Sequence, residues 1–379
     1  MSNNLTYDFI RTLFFTTIFF LSYILFYNQV FNRYPSDLVS QIGFIDKIVS
    51  GEIHVSHPMF HYISYYLSKA LSIDIKISSI LMNAFLVLFL AVVIYKILIA
   101  NLPKQINKYL VLFLVFIVMY SGSFFLPGLD ITKHQYLGNG SITVWHNVTL
   151  YMVKPFAFLS FFLFFYALRI EHSRKYLTAS LFFAILSIFA KPSFIVMYVP
   201  MLFVVLIYAY YMKNQYKKVL YYFLFLSLFT LLSLGYQYYI TYEDVSNSGV
   251  VIALFEVWHL YSNNILLSIV VGNLFVVTFV VLAYRYISLE SYFAILLLLI
   301  GIALFAIFAE SGPRFRHGNF GWSYLIAQQI VFLSLIIDFY KQYASINVIS
   351  KNLLLIALSL QIVDGLYYFI KIFNGSGYV

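Results

Sequence analysis

The run Phe9-Ile-Arg-Thr-Leu-Phe-Phe-Thr-Thr-Ile-Phe-Phe-Leu-Ser-Tyr-Ile-Leu-Phe-Tyr-Asn-Gln-Val-Phe31 is followed at once by Asn32-Arg33-Tyr34-Pro35-Ser36-Asp37. A helix needs about 20 mostly apolar residues to cross a bilayer, and a signal-peptide core has only about 7–15. No small-residue cleavage site follows Phe31, so the run reads as a retained first membrane span. Further apolar segments at 77–100, 109–126, 149–168, 177–190, 194–212, 219–241, 265–285, 292–309, 322–340 and 352–373 bring the expected total to eleven spans. The expected fold is an all-α polytopic membrane protein, with residues 1–379 as one integral membrane domain. Ala190-Lys191-Pro192-Ser193 divides two of these segments, because proline removes a backbone donor and disfavours helix at the residue before it.

Composition agrees. The chain is 63% hydrophobic and 10% charged, against roughly 45–50% and about 25% in soluble domains, so there is too little charge to cover a water-facing core. The absence of cysteine excludes disulfides, thiolate metal sites and a cysteine nucleophile. No glycine-rich phosphate loop is present, which argues against nucleotide-driven chemistry on this chain.

The positive-inside rule orients the spans. With a cytoplasmic N-terminus, the inside segments hold Arg11, Lys96, Lys104, Lys108, Arg169, Arg174, Lys175, Lys213, Lys217, Lys218, Arg285, Lys341 and Lys351 against Asp8, Glu171, Glu290 and Asp338. That set carries the entire formal charge of +9, so the basic balance reflects orientation and needs no nucleic-acid partner. The outer segments are 32–76, 127–148, 242–264 and 310–321. They collect all the histidines except His172; Trp145, Trp258 and Trp322 stand at the outer boundary, and a functional site is expected on this face.

Within the first outer loop, Leu38, Ile42, Ile45 and Val49 recur at helical spacing after Asp37, a candidate N-cap. A second helix is expected from His57-Pro58 through Leu67, since proline suits a first helical turn. Two amphipathic helices thus lie in the interface between the first and second spans.

Here the chain resembles the GT-C superfamily of membrane glycosyltransferases. The resemblance rests on Tyr34-Pro35-Ser36-Asp37 after the first span, on His57-Pro58-Met59-Phe60-His61 and on Lys191-Pro192-Ser193. The strings Gly140-Ser-Ile-Thr-Val-Trp-His-Asn147, Lys154-Pro155-Phe156 and Glu310-Ser-Gly-Pro-Arg-Phe-Arg-His-Gly-Asn-Phe320 are similar to those of bacterial surface-polysaccharide membrane proteins. The resemblance implies transfer of a sugar or repeat unit from a polyprenyl-phosphate or -diphosphate donor, at the outer face of a bacterial inner membrane, in O-antigen, capsule or envelope polysaccharide synthesis. By position it maps the base, or a metal ligand, to Asp37. No second carboxylate stands beside Asp37, so no metal or other cofactor is assigned.

Such a donor needs cations at the outer surface. Arg314 and Arg316 are the first candidates for its phosphate, because a guanidinium binds it as a fork, with Lys191 and Lys154 in support. The alternatives for these cations are snorkelling and pairing with Glu310 or Asp130. His57, His61, Trp145, His146, Asn147, His317 and Asn319 are candidates for sugar or phosphate contacts. His57 and His61, four apart, share a helical face, but without matching carboxylates they are not assigned a metal. The rival function is a transporter or flippase of lipid-linked sugars, which usually places polar groups at midplane on broken helices.

The orientation has a direct test, helped by the cysteine-free background. In intact cells, a cysteine replacing Ser248 should react with an impermeant maleimide and one replacing Asn214 should not; the reverse pattern would invert the topology.

Overall fold

The computed structural model describes residues 2–124, 134, 136–170, 174–213, 215–242 and 249–376. Asp130, Glu171 and His172 lie outside this set. Sixteen α-helices and one two-stranded ribbon are described. The long first span is α1 (Ser2–Phe31), and three short helices follow it, α2 (Leu38–Gly43), α3 (Ile45–Val49) and α4 (Met59–Leu71). Next come α5 (Ile75–Asn101), α6 (Lys108–Tyr120), α7 (Val148–Arg169), α8 (Arg174–Ala190), α9 (Ile195–Tyr211) and α10 (Tyr216–Tyr242). The chain continues with β1 (Val250–Ile252), α11 (Glu256–Tyr261), α12 (Ile265–Gly272), α13 (Leu274–Ala283), α14 (Leu289–Ile307), β2 (Phe308–Glu310), α15 (Gly321–Lys341) and α16 (Val348–Phe373).

The protein is a multi-pass, all-α membrane protein. Each of the eleven apolar segments is helical over most of its length, and α1, α5, α7, α10, α14, α15 and α16 are long and apolar enough to cross a bilayer. The others are shorter. Helix α6 stops at Tyr120, and α12 and α13 bend by 78° at a break that makes them one broken span or a re-entrant element. Helices α8 and α9 separate at Lys191-Pro192, as the proline requires. Asparagine starts several helices: the side chains of Asn107, Asn147, Asn264 and Asn347 accept from backbone N–H groups of the first turn, each cap contributing about 1 kcal/mol.

The expected amphipathic helix over 37–50 forms as two pieces. It breaks at Phe44, after Gly43, a weak helix former. Leu38, Ile42, Ile45 and Ile48 form its buried stripe, with Val49 only half-buried. Asp37 precedes α2 but does not cap it; the Ser36 hydroxyl accepts from the Leu38 N–H instead.

Helix α15 is the central strut, with every residue from Gly321 to Phe339 buried. Against it packs a segment that sequence reading places in an outer loop. Residues 136–147 have no regular secondary structure, yet all are buried. Apolar Leu137, Ile142, Val144 and Trp145 explain part of this, and side-chain donors explain the rest. Gln328 Nε2 donates to the carbonyls of Gly140 (2.8 Å) and Gly272 (2.6 Å), and Gln361 Nε2 reaches Gly122 (3.1 Å) and Gly272 (3.0 Å). The break between α12 and α13 therefore lies against the buried segment with its freed carbonyl satisfied. A Cβ on Gly272 would stand 1.7 Å from the Asn139 carbonyl oxygen, so only glycine fits there.

Gln328→Leu would leave the Gly140 carbonyl orphaned in the interior, at a cost of about 1–3 kcal/mol. Thermal denaturation in detergent should show a lowered midpoint; an unchanged midpoint would mean that this donor does not hold the segment.

Candidate functional site

The buried segment ends at His146-Asn147, and Asn147 joins three elements. Its Oδ1 caps α7 by accepting from Leu150 N–H (2.9 Å) and also accepts from the Thr149 hydroxyl (3.0 Å), while its Nδ2 donates to Asp37 Oδ2 (2.8 Å). Asp37 N–H and the Ser36 hydroxyl both donate to the His146 carbonyl at 3.1 Å. The loop between α1 and α5 is thus hydrogen-bonded to the start of α7, and the Asp37 carboxylate, released from capping, faces inward.

Lys191 comes in from the break between α8 and α9. Its Nζ donates to the Thr149 hydroxyl (3.0 Å) and reaches Asn147 Oδ1 (3.5 Å), while the ammonium lies 4.6 Å from the centre of the Trp322 ring. Only 7% exposed, it is a desolvated cation on an aromatic face between two carboxylates, Asp37 and Glu310. Burial pulls its pKa down to about 8, with those carboxylates opposing the fall. Burial likewise raises Asp37 above the ordinary carboxylate value, offset in part by Lys191, the Asn147 hydrogen bond and His317.

The other wall is the β1–β2 ribbon and the 3₁₀ turn after it. Antiparallel pairing sets Val250 opposite Glu310. Glu310 accepts from the Tyr242 hydroxyl (2.8 Å), pairs with Arg314 Nε (3.3 Å) and receives Asn319 Nδ2; Asn319 Oδ1 in turn accepts from Trp322 Nε1 (3.3 Å). The turn closes at Gly318, whose φ of +61° favours glycine. His57 and His146 complete the site, each held near a pKa of 3 first by burial and then by nearby cations, Lys191 for both and Arg314 for His57. Both imidazoles are neutral at pH 7.

The fold therefore brings together Asp37, His57, His146, Asn147, Lys191, Arg314, His317 and Asn319. Four other candidates lie elsewhere or serve the scaffold. Lys154 is fully buried and donates to the Ile142 carbonyl (3.0 Å); Trp145 packs in the core with Tyr120, Tyr151 and Phe369. His61 is hydrogen-bonded to Gln41 Oε1 (3.0 Å), tying α4 to α2, and Arg316 is exposed, its carbonyl taken by the Tyr261 hydroxyl. Thr149 and Tyr242 contribute contacts that the sequence does not announce, whereas the Glu310–Arg314 pair is the alternative stated above for the arginines and is legible in their i,i+4 spacing. Among the described residues, no three His, Asp or Glu side chains are grouped to hold a metal ion. No family model, characterised protein or solved structure matches the chain.

The ammonium over Trp322 gives a spectroscopic handle. Intrinsic fluorescence should change with a midpoint near pH 8, the cation being present below that pH and lost above it, and Lys191→Met should abolish the transition. An identical titration in the variant would contradict this placement.

Proposed function

We propose that the chain is a GT-C-like membrane glycosyltransferase. It moves a sugar or oligosaccharide repeat from a polyprenyl-phosphate or -diphosphate donor to an acceptor hydroxyl at the outer face of a bacterial inner membrane, in surface-polysaccharide synthesis. The observation that carries this reading is the Asp37 carboxylate, freed from helix capping and set within the electrostatic reach of a buried lysine.

In this scheme the acceptor oxygen attacks the anomeric carbon while its proton passes to Asp37. The bond from that carbon to the phosphate oxygen breaks, and its electron pair leaves on the phosphate, whose charge is met by Lys191 and Arg314. Asp37 suits the base better than Glu310. Among the described residues its carboxylate accepts a hydrogen bond only from Asn147, whereas Glu310 is occupied by Tyr242, Arg314 and Asn319. The raised pKa of Asp37 also strengthens it as a proton acceptor. His57, His146, His317 and Asn319 supply hydrogen bonds for sugar hydroxyls or phosphate oxygens.

An adjoining pocket of about 180 Å³ suits the lipid end of the donor. It is walled by Ile48, Val55 and Tyr62 of the first loop and by Phe189, Tyr236 and Ile240, and it reaches Ser56, next to His57. The transporter reading gains one feature, the broken α12–α13 element, but the Gly272 carbonyl freed there is taken by Gln328 and Gln361.

The test uses lipid-linked saccharide extracted from the native membrane and the protein in proteoliposomes. Asp37→Asn should cut glycosidic product about 10²-fold or more while donor binding persists. Wild-type activity should fall on the acid side as Asp37 protonates and on the alkaline side near pH 8 as Lys191 loses its proton. Undiminished turnover in Asp37→Asn would move the base elsewhere. Transbilayer movement of the lipid without any product would favour the transporter.

A further inference from the structure

Two cations and two carboxylates meet at the candidate site, and their charges cancel. Lys191 lies within the electrostatic reach of both Asp37 and Glu310, and Arg314 pairs with Glu310 through Nε at 3.3 Å. His57 and His146 are neutral and add nothing. Arg316, the other cation of the turn, is exposed, so its charge is screened by solvent.

Glu310 is the member that the proposed reaction leaves without a task. Its side chain is only 8% exposed, and three donors fix it: the Tyr242 hydroxyl (2.8 Å) and Arg314 Nε on Oε1, and Asn319 Nδ2 on Oε2. A neutral glutamine oxygen would accept the Tyr242 and Arg314 bonds and hold the ribbon to the turn. What the carboxylate adds is a buried negative charge beside the groups that would take a phosphate, and there it weakens the binding of any anion.

The charge of the donor gives that penalty a use. A polyprenyl-phosphate sugar is a phosphodiester with one negative charge, whereas a polyprenyl-diphosphate sugar carries two. With the first, the complex holds one net negative charge before and after transfer, because the proton taken by Asp37 balances the charge gained by the leaving phosphate. With the second it holds two throughout, and the extra charge meets no further buried cation of this site among the described residues.

We propose that Glu310 is a specificity-determining residue whose charge restricts the site to donors with a single phosphate and turns away lipid-linked diphosphates. Because Glu310 holds only Nε, the Nη groups of Arg314 remain for the phosphate, and the arginine gives direction without adding net charge. This role rests on the glycosyltransferase reading above and narrows its donor to a polyprenyl-monophosphate sugar.

The test is native mass spectrometry of the delipidated full chain in EDTA, offered equimolar polyprenyl methyl phosphate and polyprenyl methyl diphosphate of one chain length, probes with one and two charges. Wild type should retain the monophosphate about tenfold or more over the diphosphate, as an uncompensated buried charge requires. Glu310→Gln should bring the two close to equal by strengthening the diphosphate, Glu310→Asp should keep the wild-type preference, and Lys191→Met should weaken both probes. If Glu310→Gln does not fold, His317→Lys, which adds a cation on an exposed turn, should shift the ratio toward the diphosphate. Equal retention by the wild type, or a ratio left unchanged by Glu310→Gln, would overturn the role of Glu310, while dependence of both probes on Lys191 would leave the phosphate site standing. A ratio that changes in Glu310→Gln only through weaker monophosphate binding would also overturn it, as the mark of a disturbed ribbon. Retention of both probes undiminished in Lys191→Met would instead remove the phosphate site itself, and this role with it.

Discussion

An irregular backbone can be buried away from water only if the protein itself supplies its hydrogen bonds, and residues 136–147 meet that condition through side chains drawn from across the chain. The carbonyl of Gly138 accepts from Trp258, that of Asn139 from Tyr324, that of Gly140 from Gln328 and that of Ile142 from Lys154. Trp145 accepts from Gln29, and His146 from Ser36. Donors from α1, α7, α11 and α15 thus converge on one strip of backbone. The strip in turn fixes how those helices sit around it, which apolar packing alone does weakly when lipid is as apolar as the helix faces.

The site follows from this arrangement. Because the buried strip delivers His146 and Asn147 to the base of the loop between α1 and α5, Asp37 is held by backbone and side-chain bonds from a segment more than a hundred residues away. Helix α8 ends at Ala190, ahead of Pro192, and Lys191 lies buried at the break. Its desolvation is offset by Thr149, the Trp322 ring and two carboxylates. The result is a charged cluster of opposite signs in a low-dielectric setting, where each interaction is stronger than in water.

Hydropathy and proline made much of the fold legible in the sequence: the helical segments, the loop helix after His57-Pro58 and the break at Lys191. What it could not give was the burial of residues 136–147. Histidine, tryptophan, asparagine and glycine between 134 and 147 read as a polar outer segment, because the glutamines and the lysine that satisfy its backbone are distant in sequence and carry no periodic signal. Lys154 shows the difficulty. As a cation near a helix start it suggested phosphate binding, and its neighbour in space is a carbonyl. Asp37 could be picked out by its position after the first span, through the resemblance, and Lys191 and Arg314 as cations of segments that the positive-inside rule leaves outside. Glu310 was harder, since its role comes from the ribbon pairing with β1 and from Tyr242, which no local pattern announces.

In the proposed reaction Lys191 and Arg314 take the phosphate of a lipid-linked sugar while Asp37 faces the acceptor. Cryo-electron microscopy of the protein with a non-cleavable phosphonate analogue of a polyprenyl-phosphate sugar tests it most directly. Phosphonate oxygens are expected within about 3.5 Å of Lys191 Nζ and of the Arg314 guanidinium, with the anomeric carbon between them and Asp37. A phosphonate bound away from Lys191, or a sugar lying on the far side of the phosphonate from Asp37, would contradict it.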